Sequence, residues 1–121
     1  SIGEELDFVK KVRKALSIRG PTFIHVLTPC VPGWKTDPKD TVTLGDLAIN
    51  TGVQPLYEIE NGKLTFTKKI TKRRPVKEYL KMQGRFKHLT DKDTAEIQKF
   101  VDKNYEWLLS LEKKGQIFPN D

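Results

Sequence analysis

Apolar residues open the chain at three- and four-residue spacing. Phe8, Val9, Val12, Ala15 and Leu16 fall on one face, which predicts an amphipathic helix. Glu4 and Glu5 at its start, with Lys14 and Arg19 near its end, suit the helix dipole. Gly20 and Pro21 predict the stop. The pattern then changes. Thr22-Phe23-Ile24-His25-Val26-Leu27-Thr28 is nearly continuous in apolar and β-forming residues. It does not alternate, which predicts a strand covered on both faces, as in a parallel α/β sheet. A lone strand cannot build such a sheet, and the chain offers no second strand of this kind, so the segment calls for more protein.

Pro29-Cys30-Val31-Pro32-Gly33-Trp34 reads as an irregular turn, and residues 35–40 as a polar loop. Thr43 and Asp46 resemble a capping box. Leu44, Leu47, Ala48 and Thr51 form a short helix face that Gly52 ends. Residues 55–67 carry the clearest local signal. Asn61-Gly62 between two alternating runs predicts a hairpin with a two-residue type I′ turn. Glu60 then faces Lys63, Ile59 faces Leu64 and Tyr57 faces Phe66, which puts these apolar side chains on one side. Pro75 to Gln83 reads as a short helix, and Gly84 to Leu89 as a loop leaving it. A long helix follows, with Thr90 and Asp93 at its cap. Ile97, Phe100, Val101, Leu108 and Leu111 lie on one face, Tyr105 and Trp107 beside it, and Gly115 at its end. Residues 116–121, ending Phe118-Pro119-Asn120-Asp121, read as a tail that needs a surface to dock on.

A length of 121 residues suits one ordinary domain with a modest core. No apolar run approaches the roughly 18 residues of a membrane-spanning helix. A single cysteine excludes a disulfide scaffold. With no export signal in Ser1–Glu5, it points to the cytoplasm. The net charge of +6 is unevenly placed. Residues 68–92 hold ten Lys and Arg against Glu78 and Asp91, so this segment carries +8 and the remainder −2.

Few residues carry candidate chemistry. Cys30 lies just past the carboxyl end of the expected strand, where ligands collect in α/β sheets. It reads either as an ordinary buried cysteine or as a thiolate ligand or redox thiol. A zinc or iron–sulfur site takes about four ligands, and this chain has one Cys and two His, so any partners of Cys30 lie on other protein. His25 reads as a hydrogen-bonded core histidine, and His88 as a solvated or interface residue. Trp34 suits a cofactor shield and a core anchor equally. In the basic segment, Tyr79 and Arg85-Phe86-Lys87 interleave aromatics with charge, as single-strand nucleic-acid binders do. No recognised nucleic-acid motif accompanies them, and a solvated or docking face is the favoured reading. No phosphate-cradling loop or hydrolase motif is present. The residues alone leave open a small basic nucleic-acid-binding module, or a structural interaction module with an inert Cys30.

The run Phe23-Ile24-His25-Val26-Leu27-Thr28-Pro29-Cys30-Val31-Pro32-Gly33-Trp34 resembles the thiamine-diphosphate-binding beta subunit of pyruvate:ferredoxin oxidoreductase (pyruvate synthase), of the 2-oxoacid:ferredoxin oxidoreductase family. The likeness continues through Pro55-Leu56-Tyr57-Glu58 and Asn61-Gly62-Lys63-Leu64. It resumes from Pro75 to Leu89, and covers about residues 2–111. The resemblance implies a C-terminal portion of that subunit, since nothing here matches the family's upstream Gly-Asp-Gly…Asn motif for magnesium and diphosphate. It implies that Cys30 is the fourth thiolate of a [4Fe–4S] cluster whose other three cysteines lie upstream. The implied fold is α/β: the end of a thiamine-diphosphate-binding parallel domain, then a β-hairpin and C-terminal helices. Residues 1–52 would be the last helix–strand unit plus the ligand turn, and residues 53–121 a C-terminal extension. The implied reaction oxidatively decarboxylates pyruvate with coenzyme A to acetyl-CoA and carbon dioxide, with electrons passing to ferredoxin. The implied partners are the rest of the beta subunit, the other oxidoreductase subunits and ferredoxin, with no membrane. The basic segment would meet another subunit or ferredoxin. The chain alone would hold neither cofactor and would be inactive.

Overall fold

A computed structural model describes residues 1–118. It is mixed α/β: five α-helices, two 3-10 turns and one two-stranded antiparallel hairpin among the described residues. Helix α1 spans Glu5–Ser17, with Glu5 and Asp7 in its first turn and Lys14 in its last. It stops before Gly20 because Ile18 leaves the helix in extended conformation. No residue of α1 is buried. Leu6 and Leu16 of this helix are 71% and 81% exposed. It is held instead by ion pairs to the hairpin, Lys68 to Glu4 and Lys14 to Glu58 and Glu60 at 2.6 and 2.8 Å.

The expected strand at Thr22–Thr28 does not form. The segment has no regular secondary structure, and its backbone makes no hydrogen bond among the described residues. Phe23 is 90% exposed. A strand exists only through a ladder with a neighbour, and none of the described residues pairs with it. His25 is accordingly exposed and makes no hydrogen bond among the described residues, so it is not the core histidine expected. Only Leu27 reaches the core, from its edge.

Helix α2 is a single turn, Val31–Trp34. A 3-10 turn at Pro38–Asp40 leads into α3, Thr41–Asn50. The helix therefore begins before the expected cap at Thr43, which lies inside it. Strands β1, Leu56–Glu60, and β2, Lys63–Lys68, pair in the predicted register, Glu60 with Lys63, Ile59 with Leu64 and Tyr57 with Phe66. Asn61 and Gly62 take the positive φ values, 49° and 76°, that a type I′ turn requires. Helix α4, Val76–Lys81, starts directly after Pro75, and its first N–H donates to Gln98 Oε1 at 2.8 Å. A 3-10 turn, Gly84–Phe86, replaces part of the expected loop.

Helix α5, Asp91–Lys114, opens with the predicted Thr90–Asp93 capping box and ends at Gly115. Its buried stripe is Val101, Tyr105 and Leu108. Phe100, expected on that face, is 72% exposed because it stands about 100° around the helix from Val101. Two cores result. Leu44, Leu47 and Ala48 of α3 meet Val76, Tyr79 and Leu80 of α4 and Val101 of α5. Leu64 and Phe66 of the hairpin meet Tyr105 and Leu108. After α5, Ile117 N–H donates to Gly62 O at 2.8 Å, and Gln116 Nε2 donates to Asn61 O at 3.0 Å. The chain end thus docks on the hairpin turn as far as Phe118, and the remainder of the expected tail, Pro119–Asp121, lies outside the described residues.

Candidate functional site

Cys30 stands at the N-cap of α2, and its thiol is exposed. The buried-cysteine reading therefore does not hold. The turn that carries it is closed by Trp34 N–H donating to Cys30 O at 2.8 Å, and by Thr36 N–H donating to Val31 O at 3.2 Å. Pro32 sits in the first turn of α2, where no N–H is needed. A Cβ built on Gly33 would lie 3.1 Å from Cys30 Sγ, so the glycine leaves the sulfur its room. The sulfur makes no hydrogen bond among the described residues.

A second turn braces the first. Gly84 N–H donates to Lys35 O at 3.0 Å. A Cβ at Gly84 would fall 2.8 Å from Lys35 Cβ and 2.9 Å from Lys35 O, so only glycine permits this approach. Arg85 lies over two rings, its guanidinium carbon 4.1 Å from the Trp34 centroid and 4.5 Å from that of Phe86. Its Nε donates to Gln83 Oε1 at 2.9 Å, and Gln83 Nε2, buried, donates to Tyr79 O at 2.9 Å. Trp34 meets Tyr79 edge-on at 6.4 Å. Burial pushes the Tyr79 phenol above its ordinary value, against the opposing charge of Arg85. Trp34 is thus anchored edge-on against Tyr79 and covered by the Arg85 cation.

These residues fit one ligand position of a thiolate-held cluster and no more. Cys30 offers a soft, accessible donor on a braced turn, with space beside the sulfur. No group of three or more His, Cys, Asp or Glu that could hold a metal occurs among the described residues. His25 and His88 are both exposed. Sequence reasoning singles out Arg85 only as part of a basic, aromatic-interleaved loop and misses its place over Trp34. The available signal was an Arg-Phe pair directly after a glycine.

The basic segment is less open than its composition suggests. Lys68 pairs with Glu4, Lys69 with Glu112 at 2.7 Å, Arg74 with Glu78, and Lys77 with Asp91 at 2.7 Å. Arg73 reaches Asp102 at 3.1 Å and Glu106 at 3.4 Å. Lys72, Lys81, Lys87 and Lys92 form no salt bridge among the described residues. Tyr79, one of the aromatics offered for base stacking, is 4% exposed and presents no ring.

No family model matches the chain. Curated relatives do. It is 58% identical over 96 residues to pyruvate synthase subunit PorB of Methanocaldococcus jannaschii, a match covering 79% of this chain and 32% of the relative. It is 42% identical over 118 residues to the PorB subunit of Thermotoga maritima, covering 93% of this chain and 36% of the relative. It is 38% identical over 120 residues to ketoisovalerate oxidoreductase subunit VorB of Pyrococcus furiosus, covering 98% of this chain and 38% of the relative. The chain spans about a third of the length of the curated relatives it matches. It is a homologue of that third of the PorB and VorB subunits.

Proposed function

We propose that this chain is the C-terminal part of the thiamine-binding beta subunit of a 2-oxoacid:ferredoxin oxidoreductase acting on pyruvate, and that Cys30 is one ligand of its [4Fe–4S] cluster. One structural observation carries the reading. A β-forming segment with an unpaired backbone, residues 22–28, runs directly into an exposed thiol on a braced turn. Such a segment is half of a sheet edge. The relatives supply what would complete it, since about two thirds of their length has no counterpart here.

The division of labour follows. Residues 22–28 take their place in the parallel sheet, and α1 covers it with the apolar face that is now open. Phe8, Ile18, Phe23, Ile24 and Tyr57 already border a cleft of about 590 Å³ on that side. Residues 1–52 end the diphosphate-binding domain and deliver the ligand turn, and residues 53–121 form the extension fastened to α3. When bound, thiamine diphosphate with magnesium would supply the electron sink for decarboxylation, and the cluster would accept the released electrons singly. This chain's part is to hold one thiolate, orient it through α2 and shield it with Trp34. Pyruvate is favoured over branched 2-oxoacids because identity to the PorB subunits, 42–58%, exceeds that to VorB, about 38%. Ferredoxin, coenzyme A, the other subunits and a cytoplasmic location belong to the same reading.

The test is anaerobic purification of the native protein that carries this sequence. Coenzyme A-dependent reduction of ferredoxin is then compared with pyruvate and with 2-oxoisovalerate. Higher kcat/KM for pyruvate supports the reading. Turnover of 2-oxoisovalerate alone overturns the substrate, and no 2-oxoacid turnover overturns the activity.

A further inference from the structure

The site described above contains one side chain whose placement packing alone does not explain. Arg85 is a full positive charge held over both the Trp34 and Phe86 rings, with Nε fixed on Gln83. Gln83 is in turn buried and tied to Tyr79 O. A surface arginine needs none of this. The arrangement is costly in side-chain freedom, since a long, rotamer-rich side chain is frozen, and the stack and charge return energy only while the geometry is kept. The ring that Arg85 covers is Trp34, whose N–H closes the turn on Cys30 O. Gly84, the preceding residue, is bonded to Lys35 at the other end of the same turn. Residues 29–36 and 83–88 include Lys35, Arg85 and Lys87 and no carboxylate.

We infer that Arg85 is a positioning residue for the Cys30 turn and a fixed counter-charge for the cluster that turn ligates. The inference rests on the cluster reading of Cys30. Two effects are separable. The ring contact clamps Trp34 and through it the backbone at Cys30, which keeps the thiolate in place. The charge acts through space. A cluster held by four thiolates is anionic, and net charge is among the factors that set its potential. A fixed cation nearby favours the form carrying the extra electron. Arginine suits both roles, because a planar, permanently charged group stacks on aromatic faces while lysine supplies only the charge.

The experiment uses the assembled oxidoreductase carrying Arg85→Met, Arg85→Lys or Cys30→Ser. The readouts are the cluster midpoint potential by EPR-monitored titration and the rate of iron release to a chelator. Arg85→Met is expected to shift the potential negative and to speed iron release several-fold. Arg85→Lys is expected to restore the potential but not iron retention. Wild-type values for both readouts in Arg85→Met overturn the inference. If Arg85→Met does not assemble, Phe86→Leu removes one of the two ring contacts and leaves the charge. It should speed iron release at unchanged potential, and wild-type retention there overturns the clamp. Cys30→Ser separates the two levels. A cluster signal unchanged by Cys30→Ser overturns the ligand reading and this inference with it. A signal lost there but untouched by Arg85→Met overturns this inference alone.

Discussion

Arg73 lies over the ring of Tyr105, its guanidinium carbon 4.6 Å from the ring centroid, while its nitrogens reach Asp102 and Glu106, one turn apart on α5. The Tyr105 hydroxyl in turn accepts the Ile70 N–H at 2.9 Å. The segment between β2 and α4 is therefore fastened to α5 at two points. Arg73→Ala is expected to destabilise the chain by about 1–3 kcal/mol, combining a half-buried cation–π contact with partly exposed ion pairs. Tyr105→Phe is expected to cost about 1–2 kcal/mol by orphaning the Ile70 N–H. Urea unfolding checks both, and unchanged midpoints would contradict the fastening.

The approach of Gly84 to Lys35 gives a second prediction. Gly84→Ala places a methyl within 2.9 Å of the Lys35 carbonyl, and backbone must move to admit it. A loss of about 1–3 kcal/mol is expected from overpacking, with faster proteolysis at the Cys30 turn. A variant as stable as the parent would mean that the two turns are not braced against each other.

Acid should loosen α5 at both ends. Glu112 is held below its ordinary 4.5, chiefly by Lys69 and then by the Phe66 N–H. Asp93 is held below its ordinary 3.8 by the Thr90 backbone and hydroxyl. Both pKa values are depressed by folding. Their stabilisation is therefore fully present above the ordinary carboxylate range and drains away as pH falls through the lowered values. Stability measured from pH 6 down to pH 3 should fall, and Glu112→Gln should flatten part of that fall. Thr90→Ala should cost about 1 kcal/mol at neutral pH.

The basic segment gives a fourth prediction, redirected by the ion pairs. Arg73 and Arg74, the natural first choice for charge reversal, are both engaged within the chain. Among the described residues Lys72, Lys81, Arg85, Lys87 and Lys92 form no salt bridge; Arg85 is held on Trp34 and Phe86, so the four lysines are left to steer an acidic partner. Lys81→Glu with Lys87→Glu is expected to raise the ferredoxin KM at low salt, with the effect shrinking as salt rises. Arg73→Glu is expected to act mainly on stability. An unchanged KM across salt in the lysine variant would remove ferredoxin as the partner of this face.

What the sequence made legible was set by local physics. Asn61-Gly62 fixes a turn type, and the turn fixes the register. Thr90 and Asp93 cap each other within one turn. The remainder depends on neighbours. Residues 22–28 have every local property of a strand, yet pairing belongs to two strands, and no described residue supplies the second. Periodicity puts Phe100 on the apolar face of α5 and Tyr105 beside it, and only the packing partner buries Tyr105 and leaves Phe100 exposed. The +8 of the basic segment says nothing of Glu4, Glu112, Asp102 and Glu106, which arrive from distant positions to pair with it. The Cys30 turn was visible as a motif, whereas the Arg85 brace behind it needed the fold.

Everything proposed for the Cys30 turn requires that its thiolate ligate a cluster completed by other protein. EPR and iron content of the intact oxidoreductase carrying Cys30→Ser, purified anaerobically beside the parent, decide this. Loss or conversion of one [4Fe–4S] signal, lower iron and failed electron delivery to ferredoxin are expected. Parent iron content, an unchanged spectrum and full ferredoxin reduction would contradict it and leave Cys30 an inert thiol.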